Sequence, residues 1–451
     1  MQTKSPDILQ IARFSSLSTW SASHIALTEI HSKYPLVPLS KILKRVKEPI
    51  NIEDNTLYKR VTVRNNGRGV VQRDELHGRE IGTKRQFIAH AGQLIISRID
   101  ARNGAFGIVP KELEGAIVTN DFWLFEVHDA LIEYLMLVLS SERFQQYWQS
   151  QSNGTTNRQR VDESTFSSSL IALPTLDKQY RIVDIYVEKM QKANQMRLTA
   201  LDLESHIDDE IFRSLGIVYR NVTGASLNGL RFIRYADVDK WAVDYLLNRG
   251  CCDFVKTSTY PVVQAKYFIQ ECQYGLSDKA SKDSSGVPIL RMNNIKRSRV
   301  DISDMKYVPP NLKSIGKYFL QCGDILLNRT NSKELVGKTA MFSLQGNYVF
   351  ASYLIRIVLN QEVADARYIN YIFASRIIRS QIDMISRQVL GQANINVEEL
   401  KSLQFPLPPI VEQKKIATAI DNIYSQVDGI NQGAETLETS AKREFNREVF
   451  E

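Results

Sequence analysis

Two stretches decide how this chain is built: "LPPIVEQKKIATAIDNIYSQVDGI", Leu407 to Ile430, and "LPTLDKQYRIVDIYVEKMQKANQM", Leu173 to Met196. The second stands 234 positions before the first and shares four of its 24 positions, a Leu, a Pro, a Gln and an Ile. Identity that sparse needs support from the rest of each half before it counts as a repeat. The support comes in order along the chain. Arg13, Phe14 and Trp20 match Arg234, Tyr235 and Trp241, and Tyr34 and Pro35 match Tyr260 and Pro261. "AGQLIISR" matches "CGDILLNR", which sets Gly92 on Gly323 and Arg98 on Arg329; Phe122 then falls on Tyr353 and Pro174 on Pro408. The offset grows steadily from 221 to 234. A few loop insertions produce such a drift, whereas chance matches scatter. Two copies of one unit, residues 10–216 and 231–451, account for the chain.

Both copies have the same internal order. Strand-like phrases come first: "YKRVTV", "QLIISRI" and "DFWLFEV" in one, "PILRM", "DILLNR" and "SYLIRIVL" in the other. A helical stretch follows, "ALIEYLMLVLSSERFQQYW" and "ARYINYIFASRIIRSQIDMI", then a polar loop and a long helix. In the last helix Ile416, Ile420, Ile423, Val427, Ile430, Ala434, Leu437 and Ala441 step by four and three, the mark of a heptad seam. The matching positions are Ile182, Tyr186, Lys189, Ala193, Met196, Ala200, Leu203 and Ile207, all apolar or aromatic except the lysine. Asp177 and Glu412 in the first turn suit a helix start, and Gly216 beyond Leu215 suits a stop. Each helix can run about 40 residues, roughly 60 Å. Two narrow seams in one chain most simply bury against each other. The expected fold class is α+β: two tandem mixed α/β domains, each followed by a long α-helix, the helices pairing as an antiparallel coiled-coil spacer. The boundaries expected are 1–172, 173–216, 217–405 and 406–451.

Composition limits what such an assembly does. At 451 residues, 43% hydrophobic and 24% charged, the chain suits a globular protein with two or three cores. No stretch is long and apolar enough for a bilayer or a secretion signal, so a cytoplasmic location and no membrane partner are expected. Cys251, Cys252, Cys272 and Cys322 form no CxxC pair and are expected to be reduced thiols rather than zinc ligands. Enzyme motifs are missing: no GxGxxG, no GxxxxGK[ST], no [DNS]PP[YF], no HxH or HExxH. The Glu412 to Lys414 run, which can be forced into a nuclease ExK, sits on the heptad helix without a partner carboxylate, and His24 and His31 lie in the leader. No catalytic residue, metal site or cofactor of this chain is expected.

Binding is the remaining chemistry, and charge says where. The net charge is +7 and the sequence pI near 9.0. From Tyr58 to Arg102 ten Lys and Arg face four acids, and from Val287 to Lys338 ten again face four, so each half carries a +6 segment in the same place. Asn and Gln accompany these charges, supplying amides able to read base edges beside groups that hold phosphates. The candidates for DNA contact are Arg64, Asn65, Asn66, Arg68, Arg73, Arg98 and Arg102 in the first half. In the second they are Arg291, Asn293, Asn294, Lys296, Arg297, Arg299, Arg329, Asn331 and Lys333. "NNGRG", Asn65 to Gly69, reads as a turn rather than a nucleotide loop. The polar loops Ser152 to Val161 and Val389 to Val397 suit either DNA contact or anchoring of the helix starts.

The phrases "CGDILLNRTNS", "GKTAMF" and "GQANINVEELKSLQFPLPPIVEQKKIA", with the duplicated order, resemble the specificity subunits of type I restriction-modification enzymes over nearly the whole chain. The step from Pro408 to Ile416 is the most specific motif; the first copy departs from it, with Thr175 for the second proline and Lys178 where Glu412 stands. The resemblance implies two target-recognition domains that each read one half of a split double-stranded DNA sequence, with the paired helices as the ruler between them. It implies as partners two DNA adenine methyltransferase subunits that use S-adenosylmethionine, and motor-nuclease subunits that use ATP and Mg. This chain alone would have no activity. A two-headed protein-binding scaffold, and a specificity subunit of a modification-only or other defence system, are the alternatives.

Overall fold

A computed structural model describes residues 32–65, 67–99, 104–145, 163–219, 253–332, 335–385, 387–389 and 392–451. The matches at Arg13, Phe14, Trp20, Arg234, Tyr235 and Trp241, the leader histidines, Cys251, Cys252 and the loop Ser152 to Val161 lie outside the described residues. The chain divides into two compact units: residues 1–196 with 433–451, and residues 197–432. Each long helix contributes residues to both units, the earlier one on either side of residue 196 and the last one on either side of residue 432.

In the first unit a four-stranded sheet has the order Leu43–Val46, Phe122–Val127, Leu94–Ser97, Phe106–Ile108. Leu94–Ser97 is buried at every position, as a central strand covered on both faces must be, which explains why "LIIS" shows no apolar-polar alternation. A second sheet orders Pro49–Asn51, Arg85–Ala89, Ala116–Val118, Leu57–Val63 and Val70–His77. Trp123 and Phe125 pack with Phe166 at ring distances of 5.7 and 5.6 Å, filling the space between sheet and helices.

The second unit repeats the first plan. Ile269–Tyr274, Leu354–Leu359, Ile325–Asn328 and Thr339–Met341 follow the same neighbour order, and Arg299–Val300 and Ile295–Lys296 extend that sheet. Each unit also ties its first strand to the strand just before a long helix. Leu36–Pro38 pairs antiparallel with Leu170–Ala172, and Val262–Gln264 with Gln404–Pro406.

Polar groups in the two cores match as well. The Tyr134 hydroxyl donates to the Ala172 carbonyl at 2.7 Å, and Tyr368 donates to Pro406 at 2.7 Å. Gln179 and Gln413 are fully buried. The Gln179 amide donates to the Pro174 carbonyl at 2.8 Å while its oxygen accepts from Leu131 N–H at 2.7 Å. Gln413 donates to Pro408 at 2.8 Å and accepts from Asp365 N–H at 2.9 Å. Each glutamine thereby holds the start of a long helix against the start of a shorter helix of the same unit, Ile132–Ser140 in the first and Ala366–Ala374 in the second.

The last helix runs unbroken from Ile410 to Phe450, 41 residues. The earlier one covers Leu176–Ser205, breaks at His206, and resumes over Ile207–Leu215. Gly216 ends it at φ 64°, ψ 26°, the left-handed stop that glycine supplies without a Cβ penalty. Within the first unit the two helices run antiparallel: Lys178 meets Glu448 at 3.1 Å and Lys189 meets Glu444 further along. Ile182, Ala193, Ala200, Ile416, Ile420, Val427, Ala434 and Ala441 are buried, while Tyr186, Met196, Leu203, Ile423, Ile430 and Leu437 are half-buried. In the second unit Ile211, Phe212 and Leu215 share one apolar cluster with Ile416, Ala417, Ile420 and Tyr424.

Candidate nucleic-acid interface

The basic segment of the first unit folds into a hairpin, Leu57–Val63 with Val70–His77. Arg60 grips Asp74 across it with two 2.6 Å bonds. That fork holds the Asp74 carboxyl below its ordinary range, so the clasp stays charged at neutral pH. The turn closes through Arg64 N–H donating to the Gly69 carbonyl at 2.9 Å, with Gly67 and Gly69 at φ 64° and 84°. A Cβ at Gly67 would lie 2.6 Å from the Ser140 hydroxyl, so glycine is required both for the left-handed backbone and for the close approach. Arg64, Asn65, Arg68 and Arg73 are exposed there. Arg73 lies 3.6 Å from Asp74, whereas Arg64 and Arg68 form no ion pair among the described residues. Asn66, Arg102 and Lys333 lie outside the described residues.

The basic segment of the second unit is arranged otherwise. Arg291 donates to the Asp304 carboxylate at 3.0 Å, and Lys296 pairs with Asp301. Asn294 is buried, its oxygen accepting from Arg291 N–H at 3.0 Å and its amide donating to the carbonyls of Asp301 and Asp304 at 2.8 and 3.1 Å. Arg297 reaches Glu204 at 3.3 Å, and Arg299 pairs with Asp428 and lies 5.1 Å over the Tyr424 ring. These two arginines therefore bind carboxylates of the long helices, within the second unit, instead of standing free. Asn293 is exposed. The Asn331 amide faces the Met292 sulfur at 3.4 Å, and its oxygen caps Ser332 N–H at 2.9 Å.

Arg98 and Arg329 are placed alike. Each follows the central strand of its unit, and its N–H donates across to the partner strand's end: Arg98 to Asp121 at 2.8 Å, Arg329 to Tyr353 at 2.9 Å. Arg98 lies 5.6 Å over the Trp123 ring and Arg329 lies 4.7 Å over Tyr274. The repeat of "LIISR" and "ILLNR" signals this equivalence. Two further buried pairs, Tyr134 with Tyr368 and Ser141 with Ser375, recur at the 234-residue offset of Gln179 and Gln413, the signal by which the sequence marks them.

No group of His, Cys, Asp and Glu among the described residues could hold a metal ion. What the surface offers is cations and amides on rigid hairpins and strand ends, which suits an anionic polymer. No described helix is long and apolar enough to cross a membrane.

Comparison with known proteins agrees with that surface. The family described as the type I restriction modification DNA specificity domain matches twice, at residues 42–193 and 269–439. A type I restriction enzyme MjaX specificity subunit of Methanocaldococcus jannaschii is 31% identical over 200 residues, 43% of this chain and 47% of that protein. The EcoKI specificity subunit of Escherichia coli is 29% identical over 176 residues, 38% of each. The chain thus spans under half the length of these curated relatives in alignment. A solved chain from a study of complex assembly and conformational transition of the type I R-M system shares the fold, with a TM-score of 0.58 at 16% identity, covering 92% of this chain and 96% of that one. With two matches that together take in most of its length, in the same two places where the fold repeats, the chain belongs to the type I restriction-modification DNA specificity family.

Proposed function

We propose that this chain is the DNA sequence-specificity subunit of a type I restriction-modification complex. Each unit would read one half of a bipartite target in double-stranded DNA, and the paired helices would set the gap. The observation that carries this is the duplication itself. Two units with one strand order, one buried glutamine clasp and one closing helix are what a split target requires, because each half-site needs its own reader. In the first unit the exposed Arg64, Asn65, Arg68 and Arg73 would enter the major groove, where guanidinium and amide groups distinguish base pairs. In the second, Asn293 and Asn331 are the retained candidates for base reading, since Asn294, Arg297 and Arg299 are engaged within the protein.

Methylation and cleavage would belong to partners: two DNA adenine methyltransferase subunits using S-adenosylmethionine, and motor-nuclease subunits using ATP and Mg. Support for docking on the helices is the exposure of Tyr180 and Ile185 on the first unit's stretch of the earlier helix, 53% and 51%. Apolar groups that open on an ordered helix suit a protein partner. The location would be cytoplasmic.

The test is to express the chain with its genomically adjacent methyltransferase and sequence the methylome with and without it. A split motif methylated only in its presence is the expected result. No new methylation from an assembled complex would reject the reading and favour a protein-binding scaffold.

A further inference from the structure

A half-buried guanidinium normally finds its acceptors inside the protein, because an unpartnered buried donor costs free energy. The first unit shows that this fold can supply them. Arg45 donates to the carbonyls of Val46, Leu124 and Phe122 at 3.1, 2.9 and 3.2 Å and lies 3.4 Å from Glu163. The second unit does the same for Arg356, 2.7 Å from Asp324. Arg98 and Arg329 are exceptions. Both are half-buried, the Nε of each is shielded from water, and neither guanidinium has a hydrogen bond or ion pair to any described residue. Each instead lies over an aromatic ring, a contact that leaves its N–H donors unused.

The two positions are also identical where their surroundings have diverged. Trp123 supports one arginine from the neighbouring strand, while Tyr274 supports the other from the strand beyond. Two units that read different half-sites must differ in their base-reading groups. What they have in common is the backbone, which is the same in every sequence. The hairpin arginines fit the first class, since Arg64 and Arg68 stand free in one unit and the second unit binds its basic turn to the helices.

We infer that Arg98 and Arg329 are a matched pair of phosphate anchors, one per unit, which grip the DNA backbone in register without reading its sequence. This rests on the DNA-binding reading above. A half-buried guanidinium that lies over a ring and has no acceptor among the described residues keeps its N–H donors for a phosphate, the anion whose geometry arginine matches best.

The test uses the full chain in complex with its methyltransferase and a mixed-sequence duplex, because phosphate contacts do not need the target. Affinity is measured from about 50 to 200 mM salt for the wild type, Arg98→Gln, Arg329→Gln and the corresponding lysine variants. Each glutamine variant is expected to reduce the log–log salt slope by about 0.9, so that its affinity falls about 3.5-fold less than the wild type's over that range. Lysine variants retain the charge and are expected to keep the slope. Folding is checked by thermal melting, and a variant that melts early but keeps the wild-type slope overturns the inference in favour of a structural arginine. Methylome sequencing separates the last possibility: an unchanged target is expected, and relaxation at one base pair would make these residues readers rather than anchors. A wild type with no salt-dependent binding would instead sink the DNA-binding reading itself.

Discussion

Gln413 shows how much one side chain can hold in this fold. Fully buried, it satisfies the Pro408 and Val363 carbonyls and the Asp365 N–H at once. Gln413→Leu keeps the volume but leaves three backbone groups without partners, each costing about 1–3 kcal/mol when buried. The second unit should lose at least about 2 kcal/mol, read as a lower denaturant midpoint, with Gln179→Leu doing the same to the first. This residue is visible in the sequence as one of four identities in 24 positions; its role is not, because two of its three partners, Val363 and Asp365, lie about 50 residues earlier in the chain. His90 was not visible at all. Its ring nitrogens lie 2.6 Å from Glu114 and 2.8 Å from Glu48, and only an imidazolium donates on both sides. The bond to Glu114, then that to Glu48, raises its pKa above 6.5. A raised folded-state value means the bonding stabilises below the unfolded pKa and is lost as pH rises through the folded one. The His90 ring should therefore titrate above 6.5 by NMR, and Glu114→Gln should lower that midpoint; a midpoint at the ordinary value would contradict the double contact.

At the level of elements, the heptad seam and the Gly216 stop could be read from the sequence, and the break at His206 could not. No proline or glycine marks it. The Ser205 hydroxyl and the His206 Nδ1 both approach the Asp202 carbonyl at 2.7 Å, while His206 N–H bonds only three residues back, to Leu203, at 3.2 Å. Side chains competing for a carbonyl draw the backbone out of its four-residue pattern. The turn at Arg297–Ser298 is a second case. Lys296 faces Arg299 across it with φ of 47° and 59° at the central residues, the hairpin conformation that favours Asn-Gly. Non-glycine residues there cost about 1–2 kcal/mol each. Asn370 donating to the Ser298 carbonyl at 2.8 Å, with Glu204 holding the central Arg297 and Asp428 the flanking Arg299, fixes the turn in place. Charge counting alone placed Arg297 and Arg68 in one class. The partners separate them: Arg68→Ala should weaken DNA binding about tenfold if it makes a base contact of 1–3 kcal/mol. Arg297→Ala should leave the DNA affinity nearly unchanged and speed amide exchange over residues 295–300. Equal losses of affinity from both would show that the helix contacts do not occupy Arg297.

Across the whole molecule, sequence order and core membership part company. Residues 445–450 belong to the last helix of the second repeat, yet Phe445, Val449 and Phe450 are buried in the first unit's core with Tyr134, Ile182 and Val183. Glu448, on the same helix, accepts from Tyr34 at 2.6 Å and Lys33 at 3.0 Å, and these donors with Lys178 hold its carboxyl down at about 2. The boundary drawn from sequence at residue 406 followed the repeat, which records how the chain duplicated. It could not follow the packing, because a heptad stripe shows that a helix has a partner without naming which core it completes. Deletion of residues 440–451 therefore tests the difference. It removes Ala441 and three larger buried apolar side chains. The larger ones, Phe445, Val449 and Phe450, are worth roughly 1.5–3 kcal/mol each and come from a core whose other buried members lie more than 260 residues earlier in the chain. The Ile211, Phe268 and Ile416 cluster of the second unit loses nothing. Hydrogen exchange should accelerate over residues 132–140 and 176–186 and stay at wild-type rates over 354–359 and 410–424. Loss of protection confined to the second unit would show that the last helix completes the core nearest to it in sequence.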